Sequence, residues 1–232
     1  MLFLDILKGT LDIFAKYWKQ ILFEYTTKTL LLAAIAVIVG TVIGAFLAFA
    51  NMGKIKPLKW IVVAIVEFVR GTPALLQVYV IYFCLPMIFP QMNRMDPIIS
   101  AFICAAVALT LNSAAYVSEI IRSGIEAVDK GQTEAARSLG LNGTTTMIQI
   151  VLPQAVKNIL PALGNEFITV IKETSLASTF YVGELMTTYH VIVGKTHNSL
   201  PILMIIGIIY FVLNFVLSKL LGVFERRMKA HA

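Results

Sequence analysis

The chain has 232 residues, 58% of them hydrophobic and only 14% charged, against about a quarter charged in a typical soluble domain. That balance excludes an ordinary soluble domain and points to an all-α integral membrane protein. The net charge of +6 fits cations flanking membrane spans on the cytoplasmic side. It does not indicate nucleic acid, because no basic cluster is interleaved with aromatic residues.

Residues 1–28 open the chain with mixed charge. Asp5, Lys8, Asp12, Lys16 and Lys19 step by three or four, while Phe3, Leu7, Phe14, Trp18 and Ile21 fall mostly on the opposite face. The pattern predicts an amphipathic helix lying in the membrane interface. Acidic residues interrupt it and no continuous apolar core follows, so it is not a signal peptide.

Residues 29–227 read as one transmembrane domain. A span needs about 20 apolar residues, and five runs qualify: 29–50, 60–85, 97–118, 158–181 and 200–218. Basic residues set the orientation. Lys54, Lys56 and Lys59 follow the first run; Arg122, Lys130, Arg137 and Lys157 follow the third; Lys219, Arg226, Arg227 and Lys229 follow or end the fifth. The other two connections hold only Arg94 and Lys195. The first and third connections and the C-terminus are therefore expected in the cytoplasm, and the N-terminus outside.

Polar groups inside the runs are the candidate pathway. In the second run Glu67 and Arg70 are three apart and can pair on one helical face. Such a pair either fixes the helix or lines a path, because charge at membrane depth marks one or the other. Gly71-Thr72-Pro73 follows and can break the helix, and broken helices line transport sites. In the third run Asn112, Tyr116 and Glu119 recur at i, i+4 and i+7, one stripe. Asn112 and Tyr116 are placed to touch a substrate, whereas Glu119 belongs at the cytoplasmic end beside Arg122. Cys84 and Cys104 sit in apolar runs as packing residues. His190, His197 and His231 lack metal-ligand spacing, so no metal site is expected.

Between the third and fourth runs lies a polar segment, "GQTEAARSLGLNGTTTMIQIVLPQA" at 131–155. Residues 123–139 are predicted helical with a bend near Gly131. Thr133 is expected to cap a helix starting at Glu134, whose carboxylate suits the positive end of the dipole. Gly140 and Gly143 are expected stops. Thr144–Leu152 forms a second helix that Pro153 ends. Ala135, Ala136 and Ser138 leave the first helix slim on one side, which suits docking into a groove on a partner protein. The competing reading is an ordinary solvated loop.

Glu134-Ala135-Ala136, three residues, Gly140, nine residues, then Ile150-x-Leu152-Pro153 resembles the EAA signature of ABC-importer permease subunits. "EFVRGTPALLQ" (67–77), "AAYVSEIIRSGIEAVDKGQTEAA" (114–136) and "IKETSLAS" (171–178) are similar to stretches in the polar amino-acid branch of that family. The resemblance spans roughly residues 30–227, and the five-span topology matches it. It implies that Glu134, Ala135, Ala136, Gly140, Leu152 and Pro153 form a coupling helix, the surface that docks on a separate ATP-binding subunit. It also implies two such ATP-binding subunits, a second permease subunit (identical or related), an extracytoplasmic solute-binding protein and a bacterial inner membrane with its lipid.

In the fourth run Asn165 and Lys172 share one face, and Glu166 and Glu173 another. Family resemblance implies an amino-acid pocket among these spans. Glu67 or Glu166 would accept the ammonium, and Asn112, Thr169 or exposed helix amides would bind the carboxylate. Lys172 and Glu173 serve equally well as subunit packing. The intramembrane carboxylates lean toward a cationic amino acid.

Two decoys fail. "VGKT" at 193–196 lacks the glycine that a phosphate-binding loop needs at 189, where Tyr189 stands. "NGT" at 142–144 matches a glycosylation acceptor on the cytoplasmic side. The chain is therefore expected to hold no ATPase site and no cofactor. The expected function is a permease subunit of an ATP-driven importer of polar amino acids, working by alternating access. The alternatives are a permease for another small solute and an ion-coupled secondary transporter; an intramembrane hydrolase lacks a base at depth.

Overall fold

The computed structural model describes residues 2–230, with the side chains of residues 6–228. The side chains of Phe3, Asp5 and Lys229 and the whole of His231 lie outside that range. Among the described residues every regular element is helical.

The first feature is one helical run from Leu2 to Met52. It comprises α1 (Leu2–Lys19), a π-helical turn (Gln20–Tyr25) and α2 (Thr26–Met52). No break separates the amphipathic segment from the first span at residue 28. At the joint the Thr26 N–H donates to the Ile21 carbonyl five residues back, the spacing of a π turn, and the Thr26 hydroxyl donates to the same carbonyl at 2.9 Å. One face of α1 and of the π turn packs inside the chain. Thr10, Ile13 and Ile21 are buried, while Leu7, Phe14 and Trp18 remain exposed. The contact is tertiary: Ile13 and Ile21 pack with Ile192, Ile202, Ile205 and Ile206 in a satellite core.

The second run folds as two helices, α3 (Lys56–Gly71) and α4 (Ala74–Ile88), with a bend of 108° between them. The break falls at Thr72-Pro73, as expected from proline, which lacks an N–H and biases its predecessor toward extended backbone. Helix α5 (Pro97–Glu126) then crosses the centre of the molecule. Asp96 starts it by accepting from the N–H groups of Ile98 at 2.8 Å and Ile99 at 3.2 Å, an N-cap followed by proline at N1.

Helices α2 and α5 approach closely because their facing positions are small. Ala36, Gly40, Gly44 and Ala48 recur every four residues along α2, and Ala101, Ala105 and Ala108 line α5. A Cβ at Gly44 would stand 2.8 Å from the Ala114 carbonyl oxygen. This is small-xxx-small packing, the way helices associate where hydrocarbon offers no hydrophobic drive.

The polar segment folds into α6 (Lys130–Ser138), α7 (Gly143–Thr146) and a π-helical turn (Met147–Val151) that runs into α8 (Leu152–Glu173). Chain then passes through a 3₁₀ stretch (Thr174–Phe180) to α9 (Thr187–Thr196) and α10 (Ser199–Ala230). Three runs are long and apolar enough to cross a membrane: Ile6–Met52, Pro97–Glu126 and Ser199–Met228. The bent α3–α4 pair makes a possible fourth span. Helix α8 is not among them, since its 22 residues carry Lys157, Glu166, Lys172 and Glu173. Large apolar side chains such as Phe46, Phe68 and Phe211 stay exposed, the surface expected of a chain solvated by lipid or by other subunits.

Candidate functional site: a docking helix and a polar break

Helix α6 begins at Lys130, four residues before the expected start. Its cap is Asp129, whose Oδ1 accepts the Gly131 N–H at 2.6 Å, so Thr133 is an interior residue. Aspartate outcompetes because it sits one position before the first helical residue, where the free N–H groups point. Its end is a Schellman closure: Leu141 N–H donates to Ala136 O at 3.1 Å and Gly140 N–H to Arg137 O at 3.0 Å. Gly140 has φ +85°, a conformation glycine adopts without a Cβ clash. Gly140 is thus a stop as expected, but Gly143 starts a helix. Asn142 caps it, accepting the Thr145 N–H at 2.8 Å.

Pro153 does not end a helix either. It is the second residue of α8, directly after the π turn, and lies within a continuing helix. The π turn just before it leaves the helical path unbroken from Gly143 to Glu173. Of α6 only Ala136 is buried, at 5% exposure; Glu134, Ala135, Gly140 and Pro153 are exposed, and Leu152 is half-buried. Ala136 therefore turns inward on a helix that packs beside the π turn, while its neighbours face out. Leu139, at the tip, is 84% exposed; sequence pattern passed over it. A cleft of about 800 Å³ joins Lys54 of the first connection to Arg137, Met147 and Ile148, so the first and third connections share one end of the molecule.

The second group of residues surrounds the α3–α4 break. Gln77 is its centre and was not singled out from the sequence. Its Nε2 donates to Val69 O at 2.7 Å, Thr72 O at 3.1 Å and Thr72 Oγ1 at 2.9 Å, and its Oε1 accepts from Asn112 Nδ2 at 3.0 Å. One amide thus binds carbonyls freed by the break and ties it to α5. Asn112 is 4% exposed and its Oδ1 has no partner; neither has the Oγ of adjacent, fully buried Ser113. Glu166 of α8 approaches Ser113 and is half-buried.

Arg70 does not pair with Glu67. Its guanidinium lies 3.5 Å from Glu119 and 5.5 Å over the Tyr116 ring. Arg122 holds Glu119 at 2.8 and 3.2 Å and Glu126 at 2.6 Å. The α5 stripe Asn112, Tyr116, Glu119 is thus brought together with Arg70 and Gln77. Thr169 and Lys172 are not: Thr169 bonds its own helix at Asn165 O, 3.1 Å, and Lys172 is exposed.

A third buried polar group was missed altogether. Glu184 is fully buried and accepts from Met186 N at 2.7 Å, Thr187 N at 2.8 Å, Thr187 Oγ1 at 2.9 Å and Tyr210 Oη at 3.3 Å. Thr29 of α2 accepts the neighbouring Leu185 N–H at 2.8 Å. These bonds stitch the 181–187 turn to α2 and α10. Burial pushes the Glu184 carboxyl above the ordinary glutamate range. A lone acid between glycine and leucine carries no spacing signal that marks it.

Residues 19–230 match the model of a family described as "binding-protein-dependent transport system inner membrane component". The chain is 40% identical over 203 residues to the arginine transport system permease protein ArtQ of Bacillus subtilis (strain 168), covering 88% of this chain and 90% of that one. It is 37% identical over 202 residues to the L-cystine transport system permease protein TcyB of the same organism, covering 86% and 83%. Among solved structures, an amino acid ABC transporter crystallised with histidines superposes with a TM-score of 0.85 at 43% identity, over 92% of this chain and 96% of that one. The MetNI methionine ABC transporter shares the fold, with a TM-score of 0.70 at 18% identity over 88% and 94%. This chain belongs to the family of binding-protein-dependent transport system inner membrane components, as a multi-pass permease subunit of the inner membrane.

Proposed function

We propose that the chain is the permease subunit of an ATP-driven importer of polar amino acids, with five spans, an outside N-terminus and alternating access. The arginine, cystine and histidine relatives support the cargo class. Two permease subunits, identical or related, would enclose the path, two ATP-binding subunits would grip their coupling segments, and an external solute-binding protein would deliver the cargo. The observation that carries this reading is α6, a capped and Schellman-closed helix on which Ala136 alone turns inward, with Leu139 bare at its tip. A rigid exposed helix transmits a push as a body; a solvated loop does not. Glu134, Ala135, Gly140, Leu152 and Pro153 belong to that grip.

The cargo would sit where Asn112 Oδ1 and Ser113 Oγ lack partners and Glu166 approaches Ser113; Thr169 and Lys172, exposed farther along α8, would serve subunit packing. Unmatched buried acceptors cost about 1–3 kcal/mol each, and a cargo ammonium would recover that cost. Glu67, Arg70 and Tyr116 continue the path toward the cytoplasm.

The test is Leu139→Cys in the complex with its ATP-binding subunits. Bifunctional crosslinking should trap the ATP-binding subunit, and ATP should change the yield. Uptake of arginine, histidine and glutamine should then fall after Glu166→Gln and Asn112→Ala. No crosslink, with cargo still accumulating on a proton or sodium gradient alone, would establish the ion-coupled alternative. Uptake of a different solute class in an intact complex would make this a permease for another small molecule.

A further inference from the structure

Helix α3 has three faces. Val62 and Val66 are buried with Ala115 of α5. Trp60, Ile61, Ile65 and Phe68 are exposed apolar side chains. The third face carries Lys59, Val63, Glu67 and Arg70, spaced four, four and three apart. Opposite it α5 presents Glu119, Arg122 and Glu126, and between the two stripes lies a cleft of about 450 Å³.

The charges in this cleft are unequally engaged. Glu119 is held by two hydrogen bonds from Arg122, at 2.8 and 3.2 Å, and Arg122 is further satisfied by Glu126. Arg70 has only the single 3.5 Å approach to Glu119 and the face of Tyr116. A guanidinium carries five N–H donors in a fork that fits a carboxylate with two parallel bonds, so most of its capacity is unspent. Glu67 and Lys59 make no ion pair among the described residues. Cleft walls thus offer a loosely held bidentate cation and, one helical turn away, a free carboxylate. The group that matches both is a carboxylate joined to an ammonium through one carbon: a free α-amino acid.

We propose that this cleft is a second, weak cargo site on the cytoplasmic side, in which Arg70 takes the α-carboxylate and Glu67 the α-ammonium. Moving Arg70 from Glu119 to the cargo leaves Glu119 paired by Arg122, so no charge is stranded. The site rests on the amino-acid reading above, and it is separate from the buried Asn112–Glu166 pocket: it serves cargo leaving for, or returning from, the cytosol.

The experiment uses Val63→Cys in a Cys84→Ser background, with the permease in complex with its ATP-binding subunits in nanodiscs. The rate of modification by a cationic methanethiosulfonate reagent is measured with L-arginine, agmatine or Nα-acetyl-L-arginine. Agmatine lacks the carboxylate and the acetylated form lacks the ammonium. L-arginine at about 10 mM should slow modification about threefold, for a Kd of about 5 mM, and the two truncated compounds should do so by less than about 1.3-fold. Adding Arg70→Gln or Glu67→Gln should abolish protection. Lys59→Cys gives a second reporter on the same wall if Val63→Cys fails to assemble. Equal rates with and without L-arginine at both positions would overturn the cleft site. If Glu166→Gln still altered uptake in that case, the cargo class would stand and only this site would fall.

Discussion

Gly44→Ala measures how tightly α2 and α5 are pressed together. The added Cβ would meet the Ala114 carbonyl oxygen at 2.8 Å and Val117 Cβ and Cγ1 at 2.9 Å. Backbone cannot swing aside like the end of a long side chain, so α2 must retreat by about 0.6 Å to restore ordinary contact. Overpacking of this kind costs about 1–3 kcal/mol, offset by up to about 1 kcal/mol because alanine is the better helix former. The net loss is about 1–2 kcal/mol, a fall in Tm of about 2–8 °C for a chain of this size. Thermal melts of the purified complex followed by size-exclusion chromatography read it directly. Gly40→Ala, with nothing nearer than 3.2 Å, should lose less, and Gly222→Ala, with open space around it, should lose nothing. Should Gly44→Ala melt at or above the parent temperature, the close approach of α2 and α5 is wrong.

Gln77→Leu removes four hydrogen bonds and strands Asn112 Nδ2, so uptake should fall at least tenfold while the complex still assembles; parent-level uptake would show that the fan has no role. Thr29→Val leaves the buried Leu185 N–H without an acceptor and should lower stability by about 1–3 kcal/mol, seen as a lower Tm. Gly140→Ala puts a Cβ at φ +85° for about 1 kcal/mol, and ATPase stimulation by cargo should drop with little change in Tm. Glu184 gives a pH signature. Its folded-state pKa is raised above the ordinary 4.5, so its protonated form is favoured on folding. The associated stability is full below pH 4.5 and is lost as pH rises through the raised value. Glu184→Gln should flatten that part of the Tm–pH curve, and an unchanged slope would refute the assignment.

Some of this was legible in the sequence because the signal is local. Long uncharged runs mean helices long and apolar enough to cross a membrane, Gly71-Thr72-Pro73 means a break, and glycine after Arg137-Ser138-Leu139 means a left-handed closure. The stripe Ala36, Gly40, Gly44, Ala48 was equally legible and was passed over, although its four-residue spacing is the mark of close helix packing. Other elements were beyond local rules. Pro153 reads as a stop, yet a π turn before it takes the strain. Thr133 reads as a cap, yet Asp129 is four residues earlier and wins the free N–H groups. In α1 the face with the largest apolar side chains is the one left to the surroundings, because the buried face is chosen by α9 and α10, some 180 residues away. Arg70 had a plausible partner in Glu67 at i−3, but tertiary folding brought Glu119 closer. Glu184 and Gln77 hold the polar architecture together, and neither has a periodic neighbour that would identify it.

The polar ties that α3 makes to α4 and to α5 differ in strength. Arg70 reaches Glu119 at 3.5 Å with 39% of its side chain exposed; such a pair is worth about 0–1 kcal/mol. Gln77 makes three donations and one acceptance in a part-buried setting, at about 0.5–1.5 kcal/mol each. Three of those four bonds run back across the break to Val69 and Thr72 on the α3 side and only the one from Asn112 reaches α5, so a force that separates α3 from α5 parts Arg70 from Glu119 before it parts α3 from α4. The extended backbone at Thr72-Pro73 interrupts the helix, and the Gln77 amide clamps the two sides of that interruption together. Under the proposed transport cycle, loss of the Arg70–Glu119 contact would widen the Glu67–Arg70 cleft while the Gln77–Asn112 bond keeps α4 on α5.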